Sequence, residues 1–184
     1  MKNFYRVKTK HLVLRKVKPK RCDAEFISEL WKNKSVMKFV GFPKGIKETP
    51  EKIVQITRER IKNRREHHLI IEKSGCSIGE ALIRYDEKSE FAETDVKLMP
   101  KFQGNGYGGE VKMTLLEWIF KNTDAEGVKA TPNVKNIASI KMQERVGGKR
   151  IKKIHYEFPK SMSSYTTPVD SYLYIVYRKD WISK

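Results

Sequence analysis

Apolar and polar residues follow two rhythms along this chain, and each rhythm predicts an element. Leu12-Val13-Leu14 reads as a short first strand. Residues 21–33 carry Ala24, Ile27, Leu30 and Trp31 at helical spacing. A turn-rich loop follows at Gly41-Phe42-Pro43-Lys44-Gly45. Thr49-Pro50-Glu51 then opens a second helix with a capping hydroxyl, a proline in the first turn and an acid near the positive end. Ile53, Ile56 and Ile61 mark its buried side, and it ends in the charge-dense residues 62–65. Leu69-Ile70-Ile71, residues 78–85 and residues 91–99 read as a meander of three strands, with turns at Ser74-Gly75 and at residues 86–89.

After Pro100 the spacing changes. Val111, Leu115, Trp118 and Ile119 fall at i, i+4, i+7 and i+8, an amphipathic helix over residues 106–121. Gly127 closes it, and residues 128–131 form a short strand. Residues 136–145 form a helix ended by Gly147-Gly148. Residues 150–156 and 171–178 are the last strands, expected to pair antiparallel across the loop of residues 158–170. The order β-α-α-β-β-β-α-β-α-β-β is expected to fold as one domain over residues 1–184.

Composition narrows the partners. The chain has 39 Lys and Arg against 22 Asp and Glu, a net charge of +17. Such a surface attracts polyanions: nucleic acid, a phosphate-rich cofactor or an acidic substrate. The basic residues are dispersed and follow no known nucleic-acid-binding signature, so nucleic acid is not the expected partner. Cys22 and Cys76 lie in unrelated contexts with no metal-ligand spacing, and read as reduced thiols; no metal site is expected. Met1 to Arg6 open no apolar stretch of signal-peptide length, and no long apolar run follows. The expectation is a cytoplasmic protein without membrane contact, as a monomer or homodimer.

The strongest local signal is Gln103-Gly104-Asn105-Gly106-Tyr107-Gly108-Gly109, where a strand runs into a glycine-rich turn that opens a long helix. The first amides of a helix lack intrahelical acceptors and carry the positive end of its dipole. Glycines let a phosphate approach them. The turn is therefore a pyrophosphate cradle. A Walker A loop is excluded because no Gly-Lys-Ser/Thr follows Gly108. A dinucleotide fingerprint is disfavoured because the turn follows a meander and no acid follows Val128.

This stretch resembles the Gln/Arg-x-x-Gly-x-Gly/Ala signature of the GNAT superfamily, with Gln103, Gly106 and Gly108 at its fixed positions. Phe91-Ala92-Glu93 resembles the start of that family's fourth strand. Asn136-x-x-Ser139 with Glu144-Arg145-Val146-Gly147 resembles its second cofactor motif, Asn-x-x-Ser/Ala…Glu-Lys-x-Gly-Phe. Tyr172-Leu173-Tyr174 to Trp181 resembles the branch of ribosomal-protein N-terminal acetyltransferases. The resemblance implies a mixed, mostly antiparallel sheet flanked by about four helices and splayed between its fourth and fifth strands, with acetyl-CoA in the gap. It implies that backbone amides from Gly104 to Gly109 hold the pyrophosphate. Val96, Lys97 and Leu98 would pair with the pantetheine arm, and Asn136 would bond the cofactor nearby.

The implied reaction moves an acetyl group to a primary amine, a protein N-terminus or a small molecule, by direct attack in a ternary complex. The alternatives are acyl-CoA binding without turnover and a basic nucleic-acid-binding module. Attack needs a base, and Glu93 matches the family position, with Glu80 and Asp95 as alternatives. The family's usual acid, a Tyr seven residues after the motif Asn, is replaced by Gln143. Ser139 is the family-consistent substitute. Gly148 stands where the family carries an aromatic. His67 and His68 are adjacent on a strand, face opposite ways and are read as structural or exposed. The basic run of residues 58–65 is read as a solvated helix face. Trp31, Phe39, Phe42, Tyr156 and Tyr165 are expected to wall the acceptor site. The high positive charge disfavours polyamine acceptors.

Overall fold

A computed structural model describes residues 2–182. Eight strands form one sheet: β1 (Val7–Lys8), β2 (Val13–Lys16), β3 (Glu66–Lys73), β4 (Cys76–Arg84), β5 (Phe91–Leu98), β6 (Gly127–Ala130), β7 (Lys149–Tyr156) and β8 (Val169–Tyr177). The helices are α1 (Arg21–Lys32), α2 (Lys34–Met37), α3 (Pro50–Lys62), α4 (Tyr107–Asn122), α5 (Ile137–Arg145) and α6 (Arg178–Ile182). The strand order is β1-β2-β3-β4-β5-β6-β8-β7, and every pair is antiparallel except β5–β6. This is the expected mixed sheet. The fourth and fifth strands of the sequence reading are β5 and β6.

The differences from the sequence reading have local causes. The two-residue β1 pairs Val7 with Leu14 and is too short to show a period. The extra helix α2 starts because Asn33 Oδ1 accepts from the amides of Ser35 and Val36. β3 extends past its apolar centre because ladder pairing with β4 carries its polar flanks. Ile61 stands exposed, and Val54 and Thr57 join Ile53 on the inner side of α3. Arg178 opens α6 instead of ending a strand. Its guanidinium donates to the carbonyls of Phe120, Thr123 and Ala125 at 2.6–2.8 Å, closing the C-terminus of α4.

The sheet is covered on both faces, which accounts for the unbroken apolar run Leu69-Ile70-Ile71. Leu69 and Ile71 enter the main core with Val111, Leu115 and Ile119 of α4. Ile70 enters a second core with Ala24 and Ile27 of α1 and Ile53 of α3. The N-terminus of α4 is braced from outside: Glu110 accepts from the His11 amide and faces His11 Nδ1, both at 2.8 Å. Among the described residues no helix is long and apolar enough to cross a membrane.

Candidate active site

β5 and β6 run side by side for three residues only, Phe91 to Glu93 against Gly127 to Lys129. Beyond Glu93, β5 continues to Leu98 with a free edge. The gap holds a cleft of about 580 Å³ between β5, β6, α5 and the start of α4. The free edge carries a defined set of backbone groups. Met99 N–H donates to Ile78 O at 2.9 Å, so antiparallel alternation turns the groups of Lys97 toward β4 and those of Thr94, Val96 and Leu98 toward the cleft. Leu98 O is already taken by Gln103 Nε2 at 2.9 Å. Of the three positions expected to pair with the arm, Val96 is the one whose backbone groups both stay free. Lys97 faces away through its backbone and does not join Val96 and Leu98 on that edge.

The glycine turn lies at the mouth of the cleft. Gly104 and Gly106 have φ of +80° and +81°, in the left-handed region that glycine tolerates best. Gln103 donates its own amide to Pro100 O at 3.1 Å, so it braces the turn instead of presenting a donor. The first amide of α4 with a helical acceptor is that of Glu110, to Gly106 O at 3.1 Å. Among the described residues, no protein acceptor occupies the amides of Gly104, Asn105, Gly106, Tyr107, Gly108 or Gly109. Consecutive free amides at the start of a 16-residue helix suit a diphosphate. Asn105 closes the turn through its side chain, bonded to Gln103 O, and the Tyr107 ring packs outside the cleft near His11.

On the far wall, Asn136 caps α5 by accepting from the Ser139 amide at 3.2 Å, which leaves its amide NH2 for the cleft. Ser139, Met142 and Gln143 line the same wall. Glu93 lies at the point where the strands part, bound to Lys129 Nζ at 2.9 Å and half exposed. Thus Glu93, Val96, Asn136, Ser139 and the glycine turn meet on one cleft.

A second chamber of about 230 Å³ adjoins it on the α1 side, sharing Val40, Leu82, Arg84, Asp95 and Lys97. At its base, Glu80 accepts from Trp31 Nε1 at 2.9 Å and lies 2.7 Å from His68 Nε2 and 3.3 Å from Lys97 Nζ. Arg60 donates to His68 Nδ1 at 3.3 Å, which leaves the ring proton on Nε2 for Glu80. Burial opposes the Glu80 charge, but Lys97, His68 and Trp31 outweigh it and hold the carboxyl well below the usual range. Burial likewise opposes the Lys97 charge, and Asp95 and Glu80 overcome it, holding the ammonium above the usual lysine range. Glu80 is a fixed anion and a poor proton acceptor. Glu80→Gln is expected to destabilise the fold by about 2 kcal/mol, since Lys97 would keep only Asp95. Urea unfolding with an unchanged midpoint would contradict this.

His67 and His68 do face opposite ways, but both are inside: His67 meets Trp118 edge to face, while His68 joins Glu80. Of the five aromatic residues expected around the acceptor, Phe42 and Tyr156 pack on Phe158, Tyr165 stacks on Phe42, Phe39 lines the main cleft, and Trp31 bonds Glu80. Sequence reasoning missed Lys112, which lines the cleft from α4 and is 1% exposed. The signal was present. Lys112, Leu115, Leu116 and Ile119 fall on one helical face at i, i+3, i+4 and i+7.

A family model described as the acetyltransferase (GNAT) domain matches residues 11–149. The Bacillus subtilis (strain 168) protein named uncharacterized N-acetyltransferase YnaD is 23% identical over 175 residues, 95% of this chain and 98% of the relative. The spermidine N-acetyltransferase of Vibrio cholerae, solved with CoA and spermine, superposes with a TM-score of 0.79 at 18% identity, covering 94% of this chain and 98% of that one. A candidate ribosomal-protein-serine acetyltransferase from Vibrio cholerae superposes at 0.76 and 16% identity, over 96% and 99%. Structural likeness at such identities carries the fold and leaves the acceptor open.

Proposed function

The chain belongs to the GNAT acetyltransferase family, and from that premise we propose that it moves an acetyl group from acetyl-CoA to a primary amine by direct attack in a ternary complex. One observation carries the reading: the row of unoccupied amides from Gly104 to Gly109, at the mouth of the gap between β5 and β6. These amides would hold the pyrophosphate. The Val96 backbone would pair with the pantetheine arm, and the Asn136 amide would donate to it. Bound acetyl-CoA supplies an activated thioester.

The remaining chemistry belongs to the chain. Glu93 accepts a proton from the acceptor ammonium, directly or through water, because only the free amine attacks. Ser139 donates a hydrogen bond toward the sulfur. The acceptor enters from the second chamber, past Trp31 and Phe42. A protein N-terminus or a small-molecule amine both fit this route, and the +17 surface favours an acceptor with acidic surroundings.

The test is thiol release from acetyl-CoA across a panel of small amines and N-terminal peptides. Turnover on at least one acceptor is expected, with acidic peptides ahead of polyamines. Ser139→Ala should slow it about tenfold, the worth of one lost hydrogen bond of ~1.4 kcal/mol, with CoA affinity retained. Tight CoA binding with no turnover on any acceptor would defeat the reading.

A further inference from the structure

Lys112 is a buried amine that the roles above do not use. It sits on the α4 face that carries Leu115, Leu116 and Ile119 inward. Its Nζ donates to Thr94 Oγ1, and among the described residues it forms no ion pair. Burial without a counter-ion pushes the ammonium down to about 7, against the opposing charge of Asp95.

Its position along the cleft is informative. Thr94 is the first residue of β5 past the last pairing with β6. From Leu98, beside the glycine turn, back to Thr94 is about 13 Å of strand. An arm anchored at the turn and laid along the free edge therefore ends at the level of Glu93 and Thr94. As neighbours in a strand, these two face opposite sides of the sheet. Thr94 and Lys112 lie on the α4 side, and Glu93 shares the opposite face with Asp95 and Lys97, which line the second chamber.

We propose that Lys112 donates the proton to the departing sulfur of CoA, with base and acid on opposite faces of the gap. The assignment rests on the acetyl-transfer reading above. The acceptor ammonium loses one proton to Glu93, the freed amine forms the new bond to the acetyl carbon, and the nitrogen gives its second proton to solvent as the adduct collapses. The carbon–sulfur bond breaks with its electron pair on sulfur, and the Lys112 ammonium gives its proton there, leaving a thiol and a neutral amine. Solvent exchange then returns the proton from Glu93 to Lys112. Ser139 steadies the sulfur, but a neutral hydroxyl is a far weaker acid than this ammonium, and the Gln143 amide is no acid at all. The other charged groups lining the cleft are Arg84, the Glu93–Lys129 pair, Asp95 and Lys97 from the strands, and Lys141 and Arg145 from α5.

The test compares wild type with Lys112→Met in three measurements: CoA affinity by calorimetry, thermal unfolding without ligand, and kcat against pH. The variant should bind CoA like wild type and melt at or above the wild-type temperature, since methionine has no buried amine to desolvate. Its turnover should fall roughly 10²-fold. The donor must be protonated, so wild-type kcat falls as pH rises through the Lys112 value, and the variant lacks that limb. Should methionine pack badly, Thr94→Val removes the hydroxyl that holds the amine and should shift the same limb. Wild-type turnover and limb in Lys112→Met, or slowing that tracks weaker CoA binding, overturns the assignment. So does a wild-type preference for succinyl-CoA that the variant loses, which would make Lys112 the partner of an acyl carboxylate. Failure of wild type to bind CoA would instead remove the underlying reading.

Discussion

Glu93→Gln is expected to cut kcat about 10²- to 10³-fold while leaving CoA affinity unchanged. Glutamine keeps the size and hydrogen-bonding reach of the side chain but cannot take a proton from an ammonium. Glu93 lies where β5 leaves β6, with its carboxylate held by Lys129 across the last paired position. That ion pair is half exposed, so losing it should change stability by at most ~1 kcal/mol. A fall in kcat without a fall in stability would separate a proton acceptor from a brace. The deficit should also shrink as pH rises, because the acceptor then loses its proton to solvent without help. Steady-state kinetics from pH 6 to 10, a range around the ionisation of ordinary amines, reads both effects. A pH-independent deficit, or none, would return Glu93 to the role of a surface ion-pair partner.

Gly106→Val is expected to weaken CoA binding about 10²-fold, close to 2.7 kcal/mol. Gly106 has φ of +81°, and a β-branched residue there is a backbone outlier costing about 1–2 kcal/mol. The turn relieves that strain by rotating, which tilts the amides on either side. Each hydrogen bond to a charged group contributes about 1.5–3 kcal/mol, so misaiming one or two is enough. Gly75 provides the control. Its φ is +80°, and it sits in the β3–β4 turn outside the cleft. Gly75→Val should carry similar strain in thermal unfolding and leave CoA affinity alone. Equal losses of affinity in the two variants would mean that strain, rather than the cradle, was being measured.

Much of this architecture was legible because it is written in local signals. Leu115 and Ile119 gave α4, the glycines gave its entry, and Gly147-Gly148 gave the end of α5. The glycine turn could be read as an anion site before its partners were known, since free amides at a helix start follow from chain geometry alone. What stayed hidden depends on pairing across the fold. Nothing in residues 76–84 announces that Glu80 meets Trp31, His68 and Lys97 from three separate elements. Those contacts are what turn it from a possible base into a fixed anion. The orientation of Lys97 depends on the β4–β5 register, which no single strand encodes. Lys112 was a different failure: its helical phase marked it as buried, but its charge suggested solvent.

The account depends most on a diphosphate resting on the turn between β5 and α4. A crystal structure of the chain with coenzyme A tests it directly. The predicted result places phosphate oxygens about 3 Å from several amides between Gly104 and Gly109, with the arm bonded to the Val96 backbone. Coenzyme A bound elsewhere, with those amides turned onto protein carbonyls, would contradict it.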